Sequence, residues 1–414
     1  MTKIKAVAGR EILDSRGTPT VEVVLETENA KGVASVPSGA SVGAHEAVEL
    51  RDGAGASNPR GVSKALAQIN DTIATAIVGK DFDQKSLDAF LCELDGTKNK
   101  SRLGANAILG VSIAFARAVA QEQGIELYEY LGSLDGRSSF SLPMPLFNIL
   151  NGGKHAQDGI DIQECMLAPI GFKSMREQVE VAKKCMAELK TLLEEKGCST
   201  SLGDEGGFAP ALEANDEALS LLVIAIGKAG YSTEQVKIAL DVASSSFYEG
   251  GKYVLKSGGE RLLDSAQMID WYAALAEKYP LISIEDGLAE DDWEGFTALT
   301  EKLGGTLSIV GDDLTVTNVE RIGMAVERKA ANACIIKPNQ IGTVSESVAA
   351  VRAVQGAGWK AFASHRSGET MDTFISDFAA GLSCGYIKAG APTKPERVVK
   401  YDRLIEIEDS LAAA

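Results

Sequence analysis

Residues 333–343 read ACIIKPNQIGT. Ala333 to Ile336 form a short apolar run cut off by a proline and polar turn residues, the pattern of a strand buried on both faces. The run ends on Lys337, and an ammonium is costly to bury. Lys337 therefore either reaches solvent or does chemistry. The pattern recurs along the chain: VKIALD ends at Asp241, LISIED carries Glu285, LSIVGDD carries Asp312, WKAFASH ends at His365 and CGYIK at Lys388. From Glu285 onward these residues stand 27, 25, 28 and 23 positions apart, with helical stretches such as NVERIGMAVERKAAN and VSESVAAVRAVQGAG between them. A near-constant strand-then-helix period is what successive βα units of a parallel barrel produce. In such a barrel the strand-end residues share one rim, where catalytic groups gather. A doubly wound open sheet would carry a glycine-rich phosphate turn, and neither GxGxxG nor GxxxxGKS/T occurs.

The first third differs. TVEVVLETENAKGVASVP is two alternating runs joined through Asn29 to Gly32, a hairpin signature. Leu66, Ile69, Ile73 and Ile77 fall on one helical face, and NAILGVSIAFARAVAQ at 106–121 predicts a well-buried helix. Strands followed by helices suggest a small α+β unit. Residues 132–145, GSLDGRSSFSLPMP, have no periodicity and read as a linker. The fold class is thus α/β, with an N-terminal α+β domain over 1–135 and a C-terminal β/α barrel over 143–414.

With 414 residues the chain exceeds what one core usually serves. A net charge of −17 opposes binding to a phosphate backbone, so no nucleic-acid partner is expected. Cys92, Cys165, Cys185, Cys198, Cys334 and Cys384 show neither CxxC nor metal-finger spacing, and read as reduced core residues. No apolar stretch approaches the ~20 residues that cross a membrane. A cytoplasmic protein without membrane contact is expected.

Asp241, Glu285 and Asp312 at three strand ends form an oxygen-rich set without clustered His or Cys, the ligand type that Mg²⁺ prefers. Single acids at βα turns commonly cap helices instead. Three in register beside two strand-end lysines favour the metal. Lys337 and Lys388 are either solvated or a reactive pair, since a lysine acts as a base only when neutral and a nearby cation favours that form. Of the three histidines, His45, His155 and His365, the last sits between Ser364 and the Arg366/Ser367 pair, which suits phosphate. A Ser–His nucleophile is the rival, but no GxSxG elbow accompanies it. GDEGGFAP places Asp204 and Glu205 in a tight turn or a site, DIQEC supplies Gln163 and Glu164 on an edge strand or a site, and PSGASVG is a glycine-rich loop.

Taken together, EILDSRGTPTVEV, SGASVGAHEA, NGGKHA, IQE, GDEGGFAP, ALDVASSSF, SIEDGLAEDDW, GDDLTVTN, KPNQIGT, SHRSGET and YIKAG resemble the motifs of the enolase family, in its order, from residue 11 to past 388. The resemblance implies an enolase-type TIM-like barrel whose first two strands depart from simple βα repetition. It also implies a homodimer or higher homo-oligomer, and reversible, Mg²⁺-dependent dehydration of 2-phospho-D-glycerate, a small phosphorylated carboxylate, to phosphoenolpyruvate. By the same resemblance Lys337 is the base, and Glu205 is the acid for the leaving 3-hydroxyl. Asp241, Glu285 and Asp312 hold one Mg²⁺; Ser41, in a mobile lid loop, reaches a second that arrives with substrate. Lys388 contacts the substrate carboxylate, Arg366 and Ser367 its phosphate. His155, Gln163, Glu164 and His365 line the pocket, with Glu164 and His365 counted among the catalytic groups. An α-proton beside a carboxylate is so weakly acidic that its loss needs positive charge on the resulting dianion, which the metals and Lys388 supply. Burial beside Glu164 is expected to keep Glu205 neutral. Val42, Met371 and Glu406 stand where the family commonly has threonine, an acid and arginine.

Overall fold

The computed structural model describes residues 1–39, 43–156 and 159–413. Ser41 and Val42 lie outside the described residues.

Eight strands close into a barrel in the order Leu281–Glu285, Ser308–Gly311, Ala333–Ile336, Lys360–Ser364, Tyr386–Lys388, Met144–Asn151, Glu164–Ala168 and Lys237–Asp241. The alternation inside ACIIK explains its double burial: Ala333 and Ile335 fill the barrel interior with Leu146, Met166, Val310 and Phe362. Cys334 and Ile336 face outward into the larger core under the helices. Proline then stops the strand, because it has no N–H for the ladder.

Strand Glu164–Ala168 runs antiparallel to both neighbours, while the other barrel pairs are parallel. The turn before it, with the short 3₁₀ segment Gly153–His155, leaves no room for a crossover helix. Reversal puts the first residue of this strand where the others put their last: Glu164 pairs with Asp241. DIQEC is thus an internal strand and not an edge.

Ahead of the barrel, Ala6–Leu13, Pro19–Glu26 and Lys31–Ser35 form an antiparallel sheet. Helix Ala105–Gln123 packs so closely on it that a Cβ at Gly32 would lie 1.8 Å from the Ala114 carbonyl oxygen. The helix expected around Leu66 is interrupted by a π turn over Gln68–Ile73. Ile69, Ile73 and Ile77 are buried, and the wide turn lets the Asn70 amide pair with both backbone groups of Gly9.

This N-terminal region lies over the barrel rim. Ser38 bridges to Gly368, the Ala47 N–H donates to the Gln340 carbonyl at 2.8 Å, and the Glu46 carboxylate meets Arg366. All six cysteines are unpaired and buried or half-buried. Among the described residues no helix is long and apolar enough to cross a membrane.

Candidate active site

The rim gathers most of the singled-out side chains into one polar cleft. Glu46, His155, Gln163, Glu164, Glu205, Asp241, Asp312, Lys337, His365, Arg366, Ser367 and Lys388 line it. Glu285 lies just behind Lys388. The acids at the strand ends do not cap helices: the following helices are capped by Asp292 and Asn318. Ser364 donates to the His365 carbonyl and leaves the imidazole alone, so no Ser–His nucleophile exists here.

Two ammoniums hold the acids together. Lys388 Nζ lies 2.6 Å from Asp241, 3.0 Å from Glu285 and 3.2 Å from Glu164. Lys337 Nζ donates to one oxygen of Asp312, and Gln340 donates to the other at 2.9 Å. Gln340 is itself oriented by Thr317, whose hydroxyl also receives the Lys337 N–H. All of these groups are buried except Lys337, which is half-buried.

Burial opposes the charged form of Lys337, but the carboxylates of Asp312 and Glu285 together reverse that and raise the lysine's pKa. The nearby Arg366 guanidinium and the ammonium of Lys388 pull the other way and lose. Lys337 is thus ion-paired to Asp312, the neighbour that favours its ammonium. Lys388 is likewise raised, against burial, by Asp241, Glu164 and Glu285. Conversely Asp312 is held low by Lys337 despite its burial.

Around these lysines sit four carboxylates, Glu164, Asp241, Glu285 and Asp312, against two ammoniums, a formal excess of two negative charges. Burial answers part of that excess with protons: desolvation, reinforced by Glu205, lifts Glu164 well above the usual range, and desolvation with Asp241 does the same to Glu285. A divalent cation would cancel the same excess, and carboxylate oxygens are its preferred donors, so the set fits such an ion. Among the described residues, the acids whose ligand oxygens all lie within 4.8 Å of one another are Asp286, Asp312 and Asp313, which share only Asp312 with the expected set. There Asp286 already accepts the N–H groups of Asp312 and Asp313 at 2.9 and 2.8 Å.

In the same cleft Glu205 receives the Asn148 amide at 2.8 Å and faces His365 Nε2 at 3.4 Å. Burial raises its pKa, but His365, His155 and Arg397 more than reverse that and hold the carboxyl well below the usual range. The surroundings thus pull the two carboxyls apart, Glu164 upward and Glu205 downward. His155 Nδ1 stands 3.5 Å from Glu164, completing a second group of close ligand atoms with Glu205.

Arg366 does not extend freely toward a ligand. Its guanidinium meets Glu46 at 2.8 and 3.3 Å and Asn339 at 3.2 Å. Glu46, Asn148, Gln340 and Arg397 were not readable as site residues from the sequence. Glu46 had a signal, since it directly follows the glycine-rich loop at 37–43; the others lie in segments whose local pattern is ordinary.

The N-terminal part matches the family model described as "Enolase, N-terminal domain" over residues 4–131, and the rest matches "Enolase, C-terminal TIM barrel domain" over 139–414. A protein from Rubrobacter xylanophilus named "Enolase" is 52% identical over 418 aligned positions, covering 100% of this chain and 96% of the relative. With the barrel, its reversed second strand and the rim of acids and lysines in place, these likenesses settle the kinship: the chain belongs to the enolase family.

Proposed function

We propose that this hydro-lyase, which interconverts 2-phospho-D-glycerate and phosphoenolpyruvate, takes the α-proton with Lys337 and expels the 3-hydroxyl with help from Glu205. The observation that carries the reading is the single polar cleft that both groups line: Lys337 beside Asp312, and Glu205 beside His365. A base and an acid around one substrate is what removal of a proton from one carbon and a hydroxide from the next requires.

Asp241, Glu285 and Asp312 would hold one Mg²⁺ in this reading, and Ser41, outside the described residues, would contribute to a second that binds with substrate. When bound, the metal would supply positive charge that makes the substrate's α-hydrogen acidic. With Asp312 engaged as a ligand, Lys337 would be left without the partner that favours its ammonium, and its amine would accept the α-proton. Lys388 moves from the carboxylates to the substrate carboxylate. Arg366 and Ser367 take the phosphate, with Glu46 as the anion Arg366 gives up. His155, Gln163, Glu164 and His365 shape the pocket. The single proton on the Glu164/Glu205 pair is the one delivered to the leaving hydroxyl; the pair titrates as a unit.

The N-terminal domain with its lid over 1–135 closes onto the catalytic barrel domain over 143–414. A homodimer, or a higher homo-oligomer, in the cytoplasm completes the reading. The direct test is the absorbance of phosphoenolpyruvate formed from 2-phospho-D-glycerate, with and without EDTA. Product formation that EDTA abolishes and Mg²⁺ restores is expected; a rate indifferent to chelation would overturn the metal assignment.

A further inference from the structure

Arg397, on the C-terminal helix Pro395–Ala413, is completely buried although it carries a permanent charge. One nitrogen of its guanidinium contacts His365 Nδ1 and donates to the Arg366 carbonyl at 2.8 Å. The other donates to the carbonyls of Ser367 at 2.6 Å and Asp204 at 3.3 Å. A single side chain thus ties together the segment before Glu205 and the SHRSG turn. A guanidinium has five donors and no acceptor. Nδ1 of His365 must therefore be the acceptor, and the ring's proton must sit on Nε2, which points at Glu205.

We propose that Arg397 is a positioning residue: by occupying Nδ1 it fixes His365 as the Nε2–H tautomer and turns a neutral N–H toward Glu205, 3.4 Å away, so that the ring is not an acid or base in its own right. Three consequences follow from the geometry. The imidazole cannot take a second proton, because the lone pair it would use is held against a cation. Burial and Arg397 accordingly push its pKa down to about 4, against the opposing pull of Glu205 and Glu369. The donor aimed at Glu205 then favours that carboxyl's ionised form and leaves the proton of the pair on Glu164. The charged groups facing the ring are Arg397 from the last helix, Glu205 from the GDEGG turn and Glu369 from its own loop. The catalytic consequence rests on the reading of Glu205 as the acid; the tautomer does not.

The protein has only three histidines, so the full-length chain labelled with ¹⁵N-histidine gives a ring spectrum that His365→Gln assigns by loss of one set of signals. In the wild type, His365 is expected to show an unprotonated Nδ1 and a protonated Nε2 from about pH 6 to about pH 8, a range in which an ordinary histidine titrates. A proton on Nδ1, or an imidazolium near pH 6, would overturn the proposal, and both are read on the wild type, with His365→Gln serving only to assign the signals. In Arg397→Met the ring should regain titration or mix its tautomers, with kcat lowered on the order of 100-fold and KM changed less. Arg397→Lys should restore part of both. If Met and Lys lose activity equally while the tautomer stays put, Arg397 is only structural and the proposal fails. If the tautomer behaves as described but Glu205→Gln still dehydrates substrate, it is the role of Glu205 that falls.

Discussion

Lys388 Nζ lies 2.6 Å from an oxygen of Asp241, so an ammonium from the strand Tyr386–Lys388 neutralises an acid carried by the strand Lys237–Asp241, two strands of the barrel wall intervening. The same ammonium touches Glu285 and Glu164. A buried cluster with more carboxylates than ammoniums is under electrostatic pressure to gain positive charge. The pairing therefore marks a cluster whose charge a divalent cation would balance.

Metal binding should stabilise the fold as any ligand of the native state does. At Mg²⁺ about 100-fold above its Kd the gain is about 2.7 kcal/mol. The midpoint of thermal unfolding should rise as Mg²⁺ is added to the wild type and should barely move in Asp241→Asn. An equal rise in both would place the ion elsewhere.

Glu205→Gln keeps the shape of the side chain and removes its proton chemistry. Dehydration should fall by about 10²- to 10⁴-fold, the usual contribution of a positioned acid. Exchange of the substrate's α-proton with solvent deuterium, followed by NMR, should persist, because Lys337 and not Glu205 takes that proton. Loss of both together would argue that Glu205 serves binding.

His365 makes a stability prediction whose sign is fixed. Its pKa is depressed from 6.5 to about 4 in the native state, by burial and by Arg397. Between those values the unfolded chain binds a proton that the native ring refuses, so falling pH costs stability there and rising pH restores it. The whole effect is about 3 kcal/mol, spent between pH 6.5 and about 4. Denaturant unfolding of the wild type and His365→Gln should therefore diverge in that window, with the variant less sensitive to acid. Parallel curves would mean that the ring titrates normally.

The barrel was legible because its strands end at regular intervals on charged residues, and a two-faced apolar run such as ACIIK has few other uses. The reversed strand was not legible from periodicity, since Glu164–Ala168 is apolar on both faces whichever way it runs; only the family resemblance pointed there. Lys337, Asp312, Lys388 and Glu205 were found because each ends or interrupts a pattern. Arg397 and Gln340 sit in helical segments and act through partners tens to hundreds of positions away, a relationship no local window carries. The surroundings of these groups were not legible for the same reason. Lys337 was read beside a like charge, and the structure adds Asp312 as its ion-pair partner; Glu205 was read beside Glu164, and the structure adds His365, His155 and Arg397 around it.

The most direct test of Lys337 as the base is solvent exchange of the α-proton of 2-phospho-D-glycerate by Lys337→Ala, measured by NMR in D₂O with Mg²⁺ present. Exchange and phosphoenolpyruvate formation should both be lost, by about 10²-fold or more, while the Mg²⁺-induced rise in the unfolding midpoint remains. Exchange at the wild-type rate in that variant would contradict the assignment.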